Sequence, residues 1–331
     1  MNKKKDQKYN SAFAATWKGI SDLFKKQERI GELKPDERLD GKKILITGSS
    51  SGLGLATAKE LALRGAEVIM AVRSGIPEKG EEVKKASGSS TVQMLSVDLS
   101  DFDSIKNLVQ ELKSGFGKID ILICNAAMVA RQSRKTRFGL EEMFTVNYLA
   151  NFYFVNLLIK SDSFIKDSTG LPRIIFVSSE SHRNPERFEW EKFGNFREYG
   201  MNKSVERYGY YKLLLTTFSQ EIARRLNPNQ HVAYSVFALC PGPVNSNIAR
   251  EAPAVFQPLM KLIFKAFFRS PERACEPVLY LAASREVEGK STDYLFLMSR
   301  QPVDEKASNP ENGKKLWEMT EELLVKHHIT F

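Results

Sequence analysis

From Lys43 onward, short and almost wholly apolar runs alternate with longer stretches whose apolar residues recur at helical spacing. The short runs are KILIT (43–47), EVIMAV (67–72), VQMLSV (92–97), DILIC (120–124), RIIFVS (173–178), VAYSVFAL (232–239) and YLFL (294–297). Strands that are apolar on both faces, each followed by a helix, predict an α/β fold: a doubly wound, seven-stranded parallel sheet with helices on both sides. The expected organisation is one catalytic domain over 41–300, a C-terminal helix and tail over 301–331, and an N-terminal extension over 1–40. In that extension Phe13, Trp17, Ile20 and Phe24 form one stripe of an amphipathic helix. Such a stripe packs on the domain or a sister subunit, or lies on an anionic membrane surface.

Charge and cysteine content narrow the classes. The formal net charge is +9, but residues 1–29 hold eight Lys/Arg against three Asp/Glu, which leaves +4 for the rest. A nucleic-acid partner is therefore not expected, and the basic run Arg131, Arg134, Lys135, Arg137 reads as a solvated loop. Three scattered cysteines, no secretory pattern and no apolar run of about 18 residues lead us to expect a cytoplasmic protein, with peripheral membrane contact as the alternative.

The chemistry begins directly after the first strand, at Thr47-Gly48-Ser49-Ser50-Ser51-Gly52-Leu53-Gly54, which runs into a helical segment. Gly48 permits a tight exit from the strand, Gly52 lets backbone approach a pyrophosphate, and Gly54 allows close helix packing. The N–H groups of Ser50, Ser51 and Leu53 would face the phosphates at the helix start. This placement at the first βα turn predicts dinucleotide binding. The second strand ends Ala71-Val72-Arg73-Ser74, with no acid to bond an adenosine ribose hydroxyl and with a guanidinium suited to a 2′-phosphate. NADP(H) is thus expected over NAD(H).

Further on, Tyr208-Gly209-Tyr210-Tyr211-Lys212 places three phenols near one ammonium, and only Tyr208 is four residues from Lys212, on the same helical face. A cation about 4 Å from a phenol at an effective dielectric of ~20 is worth ~4 kcal/mol, about three pKa units, so Lys212 is expected to lower the Tyr208 pKa toward neutrality. Ser178 and Ser179 end the fifth strand, and adjacent strand positions face opposite ways, so only one of them enters the cleft. The four histidines show no ligand spacing with the cysteines, and His182 reads as a loop residue; no metal is expected.

TGxxxGxG spacing, Asp98-Leu99, Asn125-Ala126-Ala127, Asn147, Ser179, Tyr208-x-x-x-Lys212 and Pro241-Gly242-Pro243-Val244-Asn245-Ser246 occur in one order over about 41–300. In that pattern the chain resembles the short-chain dehydrogenase/reductase family of Rossmann-fold oxidoreductases. Ala127 stands where the family has glycine, and Ser246 where threonine is commoner. The resemblance implies that Tyr208 gives and takes the proton, while Lys212 binds the nicotinamide ribose and lowers the phenol's pKa. It further implies that Ser179 bonds the substrate oxygen and that Asn147 holds a water linked to solvent. Asp98 and Leu99 would contact adenine, and Asn125, Ala126, Pro241, Gly242 and Val244 would line the cofactor.

The 28 residues between Ser179 and Tyr208, with Phe188, Trp190, Phe193, Phe196 and Tyr199, are expected to roof a pocket. Phe256, Leu259, Met260, Leu262, Ile263, Phe264, Phe267 and Phe268 suit a lid over an apolar substrate or, equally, a dimer-packing or core helix. With Arg73 and FGLEEMFTVNYLANF, these features most resemble the retinol dehydrogenase-like branch. That branch implies a small lipophilic alcohol or carbonyl substrate, and the family resemblance a homo-oligomer, dimer or tetramer. The competing readings are a nucleotide-binding redox sensor or scaffold without catalysis, and a nucleotide-sugar epimerase, which the glycine spacing disfavours.

Overall fold

A computed structural model of the chain describes residues 30–166, 170–244 and 269–331. The expected N-terminal stripe, the apolar segment 256–268, Asn245 and Ser246 lie outside the described residues.

Each apolar run forms a strand: β1 Lys43–Thr47, β2 Glu67–Val72, β3 Val92–Ser96, β4 Ile121–Cys124, β5 Arg173–Val177, β6 Ser235–Cys240 and β7 Tyr294–Phe296. They lie in the order β3-β2-β1-β4-β5-β6-β7 and are all parallel. The expected seven strands are joined by an eighth, β8 Ser299–Arg300, which turns back antiparallel on β7. Its two residues are too few to carry a periodic signal. β6 begins three residues later than its apolar run, because the Asn227 side chain captures the Ala233 and Tyr234 N–H groups at 2.8 and 2.9 Å and holds them out of the ladder.

Alternate residues of each strand feed two cores. On one face Leu45, Leu122, Ile174, Phe176 and Val236 pack beneath α3 (Phe102–Glu111), α5 (Ala150–Lys160), α6 (Met201–Leu226) and α8 (Pro310–Lys326). On the other, Ile44, Ile46, Ile123, Ile175 and Phe237 pack beneath α1 (Gly52–Leu63), α2 (Glu78–Ser87) and α7 (Glu276–Ala283). Between β4 and α5 the chain passes through a short helix, α4 (Glu142–Phe144), and a π turn, Thr145–Leu149, that carries Asn147.

Both chain ends of the described body are tied to the sheet layer. Ile30 N donates to Met298 O at 2.7 Å, and the buried Glu37 carboxylate accepts from Ser284 Oγ and Arg285 N. Trp317 of α8 sits edge-on to Phe152 at 4.9 Å, and Thr320 bonds the buried Tyr148 hydroxyl at 2.6 Å. The basic loop is neutralised locally: Arg134 pairs with Glu142, and Arg137 with Asp101 and Asp103.

Candidate active site

The strand order reverses between β1 and β4, which opens a crevice at the carboxyl edge of the sheet. The glycine loop fills one side of it. Gly48 has φ +65°, and a Cβ there would stand 2.8 Å from the Ala126 backbone. Gly52, at φ +54°, starts α1. A Cβ on Gly54 would meet Asn125 Nδ2 and Gly48 O, each at 2.5 Å, so this glycine serves the closeness of the loop to the β4 exit as well as helix packing. Asn125 braces the turn by donating Nδ2 to Thr47 O at 2.8 Å and to Gly48 O at 3.1 Å. Thr47 Oγ1 in turn accepts from the N–H groups of Asn125 and Ala126.

This cradle fits a pyrophosphate. Ser51 stands at the N-cap of α1 without a side-chain cap bond, and no acid occupies the first helical turn, so the positive end of the helix is left for an anion. Ser50 is half-buried and Leu53 buried beside it. Arg73 is exposed just past β2 and has no ion-pair partner among the described residues. Beyond β3, Asp98 Oδ1 accepts from Ser100 N and Oγ at 2.8 and 2.7 Å, and Leu99 is buried. After β6, Gly242 (φ +80°) packs against Leu297, while Pro241 is buried and Val244 bridges to Arg269. Ala127 is exposed, so its methyl group crowds nothing.

At the same edge the structure brings Ser179, Tyr208 and Lys212 together. The Ser179 hydroxyl faces the Tyr208 phenol and favours its ionised form. Ser178 points the other way and bonds Thr216 Oγ1 at 2.6 Å, which settles which serine enters the cleft. Lys212 is buried, its Nζ 5.6 Å from the Tyr208 ring centroid and donating to Val177 O at 2.8 Å. Asn147 is buried in the π turn with both ends of its amide committed to Met128: Oδ1 accepts from Met128 N at 2.9 Å and Nδ2 donates to Met128 O at 2.8 Å. The side chain therefore holds the chain leaving β4.

The electrostatics correct one expectation. Burial pushes the Tyr208 phenol above its ordinary 10, with nearby Cys240 adding to the effect and the Ser179 hydroxyl opposing it. Burial also pushes Lys212 down to about 8. The ammonium is aimed at the Val177 carbonyl, so removal of both groups from water outweighs their attraction and the phenol is not acidified.

Other expectations also change. His182 is a fully buried residue of the 3-10 turn Glu180–Arg183, and the turn looks like a loop in sequence because four residues carry no period. Of the aromatics before Tyr208, Phe193 and Tyr199 do not roof the cleft: Phe193 packs edge-on to Phe144, and the Tyr199 hydroxyl donates to the buried Glu141 carboxylate. An open groove of about 510 Å³ lies beside that segment, lined by Gln132, Ser133, Phe196, Glu198, Tyr199 and Gly200, and touches neither Ser179 nor Tyr208.

Gly209 and Cys240 were missed in the sequence. A Cβ on Gly209 would stand 2.9 Å from Ser181 O, so its absence lets the 3-10 turn settle on α6 and bring Ser179 to Tyr208. Gly209's place beside the reactive tyrosine was the available signal. Cys240, buried at the end of β6, faces Tyr208 and Lys212, and nothing in its spacing marks it.

Comparison with known proteins agrees with this geometry. Residues 42–189 match the short chain dehydrogenase family. Retinol dehydrogenase 14 of Homo sapiens is 32% identical, covering 86% of this chain and 87% of its own. The WW domain-containing oxidoreductase of Gallus gallus is also 32% identical, over 88% of this chain and 70% of that one. A crystal structure of an uncharacterized protein from Mycobacterium Paratuberculosis, 29% identical, superposes with a TM-score of 0.65 over 86% of this chain and 94% of the other. The chain belongs to the short-chain dehydrogenase family, as an oxidoreductase that acts on CH–OH groups with a nicotinamide dinucleotide, NAD(H) or NADP(H).

Proposed function

We propose that the protein interconverts a lipophilic alcohol and its carbonyl, retinoid-, steroid- or lipid-like, with NADP(H). The observation that carries the reading is the cluster at the carboxyl edge of the sheet: the Ser179 hydroxyl faces the Tyr208 phenol, and the buried Lys212 Nζ lies 5.6 Å from the phenol ring. Nicotinamide, when bound, would supply or accept the hydride. Ser179 bonds the substrate oxygen and Tyr208 delivers the proton to it. A phenol held above its ordinary pKa enters protonated at neutral pH, which suits carbonyl reduction. Lys212 holds the nicotinamide ribose, Asn147 fixes the β4 exit, and Arg73 meets the 2′-phosphate, which favours NADP(H).

The lipophilic part is supported by the wall above Tyr208. At about 100° per residue, Met201, Val205, Tyr208 and Lys212 fall within about 60° of one another around α6. Met201 and Val205 are 55% and 37% exposed, an apolar track leading from solvent to the phenol. The retinol dehydrogenase relatives point the same way. A panel of lipophilic aldehydes and ketones, assayed with NADPH and with NADH, tests the reading: turnover with NADPH is expected. Tight NADPH binding without turnover of any member would instead favour a sensor.

A further inference from the structure

His182 takes no part in the proton transfer above, yet it is fully buried in the turn that carries Ser179. It donates twice to the Ser179 carbonyl, from its backbone N–H at 3.0 Å and from Nδ1 at 2.7 Å. A carbonyl oxygen only accepts, so Nδ1 carries the proton and Nε2 is a bare lone pair. Nε2 is buried without a hydrogen-bond partner among the described residues, and the ring lies edge-on to Tyr294 of β7 at 5.1 Å.

The surroundings keep this imidazole neutral. Arg183 and Glu180 face it from its own turn, Tyr294 from β7, and Asp304 from the segment beyond β8. Glu180 is already committed, accepting from the Tyr294 hydroxyl at 2.8 Å and from Arg183 Nε at 2.9 Å. A second proton on Nε2 would be a buried, unpaired N–H, and burial holds the ring's pKa down to about 4. The neutral ring is thus a permanent donor to Ser179 across the neutral pH range.

Ser179 adopts extended backbone (φ −158°, ψ 147°) at the head of the turn, with Oγ toward Tyr208 and its carbonyl toward His182. Turning its peptide plane would swing the hydroxyl off the phenol. We infer that His182 is a positioning residue for the reaction: its Nδ1-protonated imidazole fixes the Ser179 peptide and so keeps the Ser179 hydroxyl on Tyr208. The inference rests on the reading of Ser179 and Tyr208 given above.

Two variants separate the donor from the volume. His182→Phe keeps the ring against Tyr294 and removes the donor; His182→Asn sets an amide N–H near the Nδ1 position and leaves a gap. With a reducible carbonyl and NADPH, His182→Phe should lower kcat about tenfold or more with the NADPH Kd within about twofold. His182→Asn should recover to within about threefold of wild type while melting at a lower temperature. Two-bond ¹H–¹⁵N spectra of the histidine-labelled full chain should show a neutral Nδ1-protonated histidine that stays neutral at about pH 5.5 and is lost in both variants, distinct from His327, whose Nδ1 faces the Phe138 carbonyl. A working wild type with an equally fast His182→Phe overturns this inference alone, as does an Nε2-protonated His182 or an Asn variant as slow as Phe. A wild type that reduces no carbonyl overturns the reading of the site and this inference with it.

Discussion

Tyr208→Phe removes one oxygen and leaves the helix, the ring and Lys212 in place. Its effect on stability should be small. The Ser179 hydroxyl keeps its bonds from Ser181 N and Ser181 Oγ, at 3.2 and 2.9 Å, so no partner is orphaned. A net hydrogen bond is worth about 1 kcal/mol, and freedom from burying the phenol oxygen offsets part of it, so Tm should move by about 2 °C or less. Lys212 remains bonded to Val177 O, and the glycine loop is untouched, so NADPH should bind within about twofold of wild type. The rate is another matter. A positioned proton donor contributes about 10²–10⁴-fold, or roughly 3–5 kcal/mol of barrier, far above the structural terms. The assay is loss of NADPH absorbance with a lipophilic aldehyde, paired with thermal melts with and without NADPH. Retention of more than about a tenth of wild-type kcat by a folded, NADPH-binding variant would falsify the assignment of the proton to Tyr208.

The remaining predictions concern the cofactor, the substrate and pH. Arg73→Ala should weaken NADPH by about 10–100-fold, the value of charge-assisted bonds to a phosphate, with NADH unaffected in the same titration; equal losses for both would remove Arg73 from specificity. Gly54→Ala drives a methyl group to 2.5 Å from Asn125 Nδ2 and Gly48 O, and should abolish nucleotide binding while costing about 2–3 kcal/mol in denaturant melts. Val205→Asn should cut the preference for long-chain over short-chain aldehydes, read as the ratio of their kcat/KM values, by about threefold or more. His182 makes stability acid-sensitive: its folded pKa of about 4 lies below the unfolded 6.5, so the unfolded chain binds more protons between them. The His182 contribution is therefore whole above pH 6.5 and is lost as pH falls toward 4, by about 3 kcal/mol. His182→Phe should show a correspondingly shallower acid slope in denaturant midpoints, and identical slopes would show that His182 does not titrate on unfolding.

Seven apolar runs bounded by helical periods were enough to read the parallel sheet, because strands covered by helices on both faces are mostly apolar in their interiors, charges such as Lys43, Glu67 and Arg173 standing at their first residues. The glycine loop was legible for a related reason: positive φ at Gly48 and Gly52 and the tight contacts of Gly54 admit no other residue, so the need is written into composition. The pairing of Tyr208 with Lys212 followed from helical spacing alone. By contrast, β8 and the 3-10 turn at Glu180–Arg183 are too short for any period, and the late start of β6 depends on one side chain, Asn227, bonding backbone six and seven residues away.

The sequence by itself determined which residues stand at the carboxyl ends of the strands and on one face of the long helix, because both follow from local geometry and burial. Only the tertiary structure decided how those residues interact. It turned Ser179 rather than Ser178 toward the phenol, and it committed Asn147 to the Met128 backbone. It also set the His182 ring beneath Ser179, and aimed Lys212 at a carbonyl so that burial raises the Tyr208 pKa instead of letting the ammonium lower it. Solvation is the physical reason: spacing along a chain fixes which groups are near one another, but the balance between desolvation and attraction depends on everything packed around them.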